Sequence, residues 1–413
     1  MFPRLAVATS AWVLLASALS LQAQAGLSLQ EAVSRALESR ASLKAEAERI
    51  TAAEGIQKQA GLIPNPEFQF QNENLRPGMT YSRDVDTLAL INQPLDILGK
   101  RRQRVAVAQR GVLRTQAEYE LSRRQIAQQI KLAYWAARGA QEICAVLQAT
   151  VDNFRKIVDY HSAQLSVGAI AEQDFLRVRL EGERLQITAG LAAIEANRAR
   201  VELLKGMGAT DFGDVDLSES LDLNGVVAPA GVEQALAQRV EIKIARAALE
   251  QAEANAKLQE VTARPDLNVT YGYKRTQLVD APTGVNTLIA SVRITLPVTD
   301  KNQGNRAAAE AEVRRRQQLL RAVEAEVRAD YYGALQEYEL RRTEFADNLG
   351  PLREHAANIS QIAAAAYSEG GTELLRLLDA ERARLEAEVA WARGMVDYHQ
   401  SIARLEAAEG VNP

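Results

Sequence analysis

The sequence predicts a mainly α-helical protein with a small β portion: very long coiled-coil helices joined to four strands of membrane-crossing length. Three observations carry this. Aromatic residues make up only 5% of the 413 residues, and Ala, Leu, Glu, Gln and Arg dominate, a bias toward long amphipathic helices. Two stretches of about 65 residues hold only one proline between them, Pro351. Four short segments switch to strict alternation of apolar and polar residues, and they come in two pairs.

The first 25 residues read as a separate object. Arg4 gives a positive start, Leu5 to Leu21 are mostly apolar, and Ala23-Gln24-Ala25 fits a small-x-small cleavage site. A signal peptide over 1–25 is expected, with the mature chain starting at Gly26. The alternative is an N-terminal membrane anchor. No cysteine lies nearby, so lipoprotein anchoring is not indicated. Beyond residue 25 no stretch approaches the ~20 apolar residues of a membrane helix.

The mature chain reads as two similar halves. The first structural repeat covers 26–208 and the second 231–413. Residues 209–230, rich in Gly, Asp and Ser, read as an irregular linker. Each half opens with a helix, from Ser28 to about Gly61 and from Val232 to about Ala263. Ser28 is the expected N-cap, with Glu31 completing a capping box. Proline stops both helices, at Pro64 and Pro66 and at Pro265, because it lacks an N–H and forces its predecessor out of helical geometry.

A hairpin follows in each half, over 67–95 and 266–298. Phe68 and Phe70 share one face of the first strand. In the third, Leu267, Val269, Tyr271 and Tyr273 oppose Asn268, Thr270, Gly272 and Lys274. In the fourth, Leu288, Ala290, Val292, Ile294 and Leu296 oppose Ser291, Arg293 and Thr295. Pro94 and Pro297 close the second strand of each pair. Together Pro66, Pro94, Pro265 and Pro297 mark the transitions between helix and strand.

Long helices over about 100–165 and 304–367 come next. Val105, Val112, Tyr119, Ile126 and Ala133 recur every seven residues. Leu320, Val323, Val327, Tyr331, Ala334 and Tyr338 step by three or four. One such pattern fits any amphipathic helix; its presence in both halves argues for coiled-coil packing. Each long helix breaks at glycine, Gly168 and Gly370, and a return helix follows, over about 172–206 and 373–409.

Strands with one apolar and one polar face suit a barrel with a watery lumen. Four strands cannot close one, and an open edge in lipid leaves backbone groups unpaired at several kcal/mol each. Other copies of the chain must complete the barrel: two give eight strands, three give twelve.

The repeated order, the paired prolines and the segment Leu374-Leu375-Arg376-Leu377-Leu378-Asp379-Ala380 resemble the TolC-like outer-membrane efflux factors over essentially the whole mature chain. Pro64-Asn65-Pro66-Glu67 and 92–101 are similar to segments of the CzcC-like, heavy-metal branch. The resemblance implies a homotrimer with a twelve-stranded barrel in the outer membrane and a helical tunnel in the periplasm. It implies a passive exit duct of a tripartite RND-type efflux system, working with a periplasmic adaptor (membrane fusion protein) and an inner-membrane RND pump. The implied cargo is divalent heavy-metal cations, with multidrug efflux or type I secretion as alternatives. A periplasmic coiled-coil adaptor or scaffold is the reading from another class. It fits less well, because an adaptor needs many short strands rather than two membrane-length hairpins.

No catalytic motif occurs, so no enzyme, cofactor or resident metal is expected. A net charge of −4 with interspersed signs gives no reason to expect nucleic acid. Two of the three histidines, His161 and His399, end identical tetrapeptides, Val-Asp-Tyr-His. No metal-binding side chain lies three or four residues from either, or from His355, so no helical metal pair forms. Cys144, the single cysteine, reads as a small buried hydrophobe.

Aligning Gly168 with Gly370 sets Asp174 opposite Arg376 and Arg177 opposite Asp379. These four form the expected periplasmic gate, held shut by charge pairing; the alternative is a solvated helix face. In the resembled family this segment lines the tunnel's narrow entrance with acidic residues. Asp379 matches that pattern and Arg376 departs from it, which argues against a purely acidic ring.

Overall fold

The structure is a computed structural model that describes residues 26–75, 77, 85–223, 228–277 and 283–411. The expected signal peptide and parts of both hairpin loops lie outside these residues. The chain runs α1 (Leu29–Ser39), α2 (Ala41–Ala60), β1 (Glu67–Glu73), β2 (Asp86–Leu95), α3 (Lys100–Ser166) and α4 (Glu172–Met207). It continues α5 (Val232–Gln238), α6 (Val240–Thr262), β3 (Leu267–Thr276), β4 (Val285–Ile294), α7 (Gln303–Glu344), α8 (Gly350–Ser368) and α9 (Leu374–Glu409). The same order of elements thus occurs twice, with the long helix of the second half divided into α7 and α8.

Ser28 caps α1 as expected, accepting the Glu31 N–H at 3.2 Å. The reciprocal half of the box is absent, because the Glu31 carboxylate binds Arg35 instead. The opening helix of each half is not continuous. It breaks at Arg40 and at Arg239, both extended residues with ψ of 115° and 127°. The cause lies elsewhere in the chain. Gly208, ending α4, lies against Arg40, and Gly410, ending α9, lies against Gln238 and Arg239. Both glycines are left-handed, at φ 76° and 75°. The last helix of each half therefore terminates on the break in its first. Arg239 fixes the second junction from inside, reaching Glu241 at 2.9 Å, Asp330 at 3.2 Å and the Ala408 carbonyl at 3.3 Å.

Residues 209–223 are irregular but not free. Leu27 pairs with Leu217 in an isolated parallel bridge. Gln141 holds the Val215 carbonyl at 2.8 Å and Arg138 that of Glu219 at 2.8 Å. Tyr134, fully buried, donates its hydroxyl to the Leu27 carbonyl at 2.7 Å. The main apolar core sits here, where α1, α3, α4, α7 and α9 meet.

The strands form one antiparallel sheet, β1-β2-β3-β4, with β1 and β4 at its edges. β3 runs two residues past Lys274, and β4 lies earlier than expected, ending before Leu296 and Pro297. Pro94 falls inside β2 rather than after it. β1 starts opposite Asn92, so Pro94 lies where β2 has no β1 partner and its missing N–H costs no ladder bond there. Pro66 directly precedes β1 and Pro265 stands between α6 and β3.

At 67 residues, α3 extends about 100 Å. Its heptad positions Val112 and Ile126 are buried, as are Val327, Tyr331 and Tyr338 on α7. The matching stretch of the second half is interrupted by a π turn, Phe345–Leu349. Pro351 explains its position: its ring conflicts with the carbonyl four residues back, and the wider turn relieves this. Cys144 is half-buried, not buried as expected, since α3 presents it at the margin of its contacts.

At Gly139 α3 packs tightly on α9; a Cβ there would lie 2.0 Å from Val396 Cγ2. Valine is stiff in a helix and cannot swing away. Gly139→Ala is expected to lower the thermal midpoint through overpacking that costs on the order of 1–3 kcal/mol. Gly55→Ala, with nothing within 4 Å, is expected to keep or raise it. Parallel circular-dichroism melts check the pair, and equal midpoints would contradict the packing.

Candidate functional site: the helical tips and the membrane sheet

Both tips are built alike. The long helix ends in a left-handed glycine, Gly168 or Gly370. The next N–H reaches back five residues, Ala169 to the Gln164 carbonyl at 2.9 Å and Gly371 to that of Ala366 at 2.8 Å. This closure satisfies carbonyls that a helix end would leave bare. The return helices then start at equivalent places, Glu172 and Leu374.

Asp174 is half-buried, while Arg177, Arg376 and Asp379 are exposed. Val178, Leu377 and Ala380 point the other way and are buried. Among the described residues, none of the four charged side chains forms an ion pair within the chain, including the three-apart pairs on each helix. They stand at matching positions of two tips, with acid and base exchanged.

The sequence did not reveal what ties the two hairpins together. His161 on α3 is 1% exposed and its Nε2 lies 2.7 Å from the Tyr367 hydroxyl on α8. Its Nδ1 lies 2.7 Å from the Ile157 carbonyl, which only accepts. Nδ1 therefore carries the proton, and Nε2 accepts from Tyr367. Burial raises the Tyr367 pKa, helped by the nearby charges of Tyr160 and Asp174. A second tie, Arg382 to Glu181 at 2.9 Å, joins α9 to α4. The signal for the first tie was the histidine itself, read only as a metal candidate.

His399 has a different place despite its identical tetrapeptide. It stacks on Trp135 with centroids 3.8 Å apart and planes 9° apart, in the central core. Burial lowers its pKa, partly opposed by a backbone bond with Asp222. Its neighbour Tyr398 is pushed up to about 12 by burial and the adjacent Tyr338. No group of three or more metal-binding side chains forms among the described residues.

The sheet register gives one face that is mostly apolar. Phe68, Ile91, Tyr271 and Ala290 form one row; Phe70, Ala89, Tyr273 and Leu288 the next. Val269 and Val292, then Leu95, Leu267 and Ile294, continue the same face. It is open: Leu288 is 88% exposed and Phe68 70%. The other face is mostly polar, with Glu67, Asn92, Thr270, Ser291, Arg293 and Lys274, the last bound to Asp86 at 2.8 Å; Leu88, Leu90 and Ile289 also lie on it. Strands of up to ten residues match a tilted membrane crossing. No helix among the described residues is long and apolar enough to span a membrane.

An apolar outer face, a polar inner face and helices running far from one end define a membrane channel with a long helical extension. The chain belongs to the outer membrane efflux protein family, whose model matches residues 32–209 and 231–411. It is a non-enzymatic outer-membrane efflux channel with a long periplasmic helical tunnel. Members of this family are trimers that work with adaptors and inner-membrane pumps. The chain is 26% identical over 376 residues to the cobalt-zinc-cadmium resistance protein CzcC of Cupriavidus metallidurans, covering 90% of this chain and 87% of that protein. Its fold is similar to the CmeC outer-membrane channel of Campylobacter jejuni, with TM-score 0.77, 20% identity, and coverage of 92% and 85%. It is also similar to CusC, with TM-score 0.76, 18% identity and 92% of both chains covered.

The buried His399 makes core stability pH-dependent. Its pKa is lower folded than unfolded, so the unfolded chain binds more protons at mildly acidic pH. Stability is expected to be full above the ordinary imidazole value of 6.5 and to fall as pH drops below it. Denaturant midpoints at stepped pH, compared with His399→Phe, check this. A wild-type slope that the variant reproduces would refute it.

Proposed function

We propose that three copies of this chain form the exit duct of a tripartite RND-type efflux system that exports divalent heavy-metal cations of the cobalt, zinc and cadmium class. The observation that carries the cargo is the 26% identity to the cobalt-zinc-cadmium resistance protein across 90% of the chain. The duct selects little itself; cargo choice belongs to the pump, and the chain brings no catalytic group to the task.

The trimer is supported by surfaces left open in one chain. β1 and β4 are unpaired edges. On α4, Leu176, Leu180, Ile187, Leu191 and Ile194 form an exposed stripe; Leu340, Leu352, Ile359 and Ile362 form another along α7 and α8. Three copies close the sheet into twelve strands and cover the stripes.

The four tip charges are the proposed gate. They form no ion pair among the described residues of the single chain, and the exchanged order lets Asp174 and Arg177 of one hairpin meet Arg376 and Asp379 of another around the closed end. Adaptor and pump open the duct by separating these contacts.

Two measurements test this. In a strain lacking the gene, the wild-type gene is expected to restore tolerance to cobalt, zinc and cadmium; restored drug tolerance alone would favour the multidrug reading. In planar bilayers, Arg376→Ala with Asp379→Ala is expected to raise resting conductance severalfold. Unchanged conductance would leave the tips as solvated helix faces.

A further inference from the structure

Lys274 and Arg275 are adjacent in β3 and face opposite sides of the sheet. Lys274, on the polar face, is neutralised by Asp86 at 2.8 Å and Glu73 at 3.6 Å. Arg275 lies on the apolar face, one step beyond the row of Phe70, Ala89, Tyr273 and Leu288. It is exposed and forms no ion pair among the described residues. The register thus leaves an unneutralised guanidinium on the lipid side, at the end of the sheet away from the helices.

Its surroundings are polar. The row contains Asn72, Thr87 and Asn286. The Tyr273 hydroxyl donates to Asn286 Oδ1, which leaves the Asn286 amide N–H groups as donors. Gly284 lies beneath the guanidinium: a Cβ there would be 2.9 Å from Arg275 Nε. The glycine keeps room for the arginine to lie along the sheet. An arginine on a barrel's lipid face is unfavourable at the membrane midplane and tolerated at the interface. Tyr273 and Phe70, next inward, form the aromatic edge of the apolar band.

We propose that Arg275, with the Asn286 amide, binds a phosphate of a phosphorylated glycolipid in the outer leaflet, one at each protomer. The helices extend into the periplasm, so the opposite end of the sheet lies at the outer leaflet. A guanidinium offers paired donors that match phosphate oxygens. Among the described residues the row holds no carboxylate. The lipid also neutralises the Arg275 charge exposed on the band and anchors the barrel's depth.

Native mass spectrometry of the detergent-solubilised trimer tests this by titration with a bisphosphorylated diglucosamine lipid. The dephosphorylated glycolipid and phosphatidylglycerol serve as comparison probes. Arg275→Gln is expected to weaken phosphorylated-glycolipid binding about fivefold, the contribution of one basic side chain at an anionic leaflet. Arg293→Gln, on the polar face, is expected to leave it unchanged. Equal loss in both variants, or no loss in Arg275→Gln, overturns the proposal. Phosphatidylglycerol binding as tightly, with the same dependence on Arg275, overturns the choice of a glycolipid. If Arg275→Gln fails to assemble, the wild-type trimer decides alone: equal affinity for phosphorylated and dephosphorylated glycolipid overturns the site. None of these outcomes bears on cargo, so the efflux reading stands or falls separately.

Discussion

Backbone groups in a lipid environment need partners, and this chain cannot supply them all. Each edge strand, β1 and β4, leaves one side of its ladder open. Water would satisfy those groups; hydrocarbon does not. The rest of the architecture answers that constraint. The strands carry mostly apolar residues outward and mostly polar ones inward, and the helices leave the sheet at one end only. The helices also carry exposed apolar stripes that one chain leaves uncovered.

Within the chain, a second closure holds each repeat in shape. The final helix of each half ends in a left-handed glycine seated on the break in its first helix. The helices entering the sheet are thereby tied to the helices returning from the tip. Arg138 and Gln141 donate hydrogen bonds to the segment between the halves, and the Tyr134 hydroxyl accepts one from the Glu219 N–H, fastening it to α3. Away from this middle region the two hairpins share a smaller apolar cluster of Leu147, Val151, Ala189 and Leu385, with polar links beyond it. His161 with Tyr367 and Arg382 with Glu181 hold them near their tips. A tightly packed waist and lightly tied ends suit a tunnel that changes width at one end.

Much of the fold was legible because its signals are local. Alternation gave the strands and their faces, and heptads gave the long helices and their buried sides. Proline and glycine placed the punctuation. What the sequence hid depends on distant partners. No proline or glycine announces the breaks at Arg40 and Arg239; contacts from residues about 170 positions away impose them. Pro351 was visible, but whether it ends, bends or widens a helix depends on how neighbours pack. The tip charges could be aligned from the repeat, whereas the His161 tie joins α3 to α8 and has no local signature. Residues 209–223 looked unstructured because their bonds run to side chains of α3.

The π turn at Phe345–Leu349 has a consequence for how the second half can change over time. A residue added within one helical turn rotates everything beyond it by about 100° relative to an uninterrupted helix. The apolar positions of α8 therefore run on a different phase from those of α7, and α9 is matched to both. A single-residue deletion beside the turn would return the helix to regular geometry and carry Ile359 and Ile362 to another azimuth. The continuous α3 has no such offset to lose. Insertions and deletions should accordingly be purged more strictly around 345–349 than at the equivalent level of the first half, and the sequence there keeps time for the whole lower tunnel.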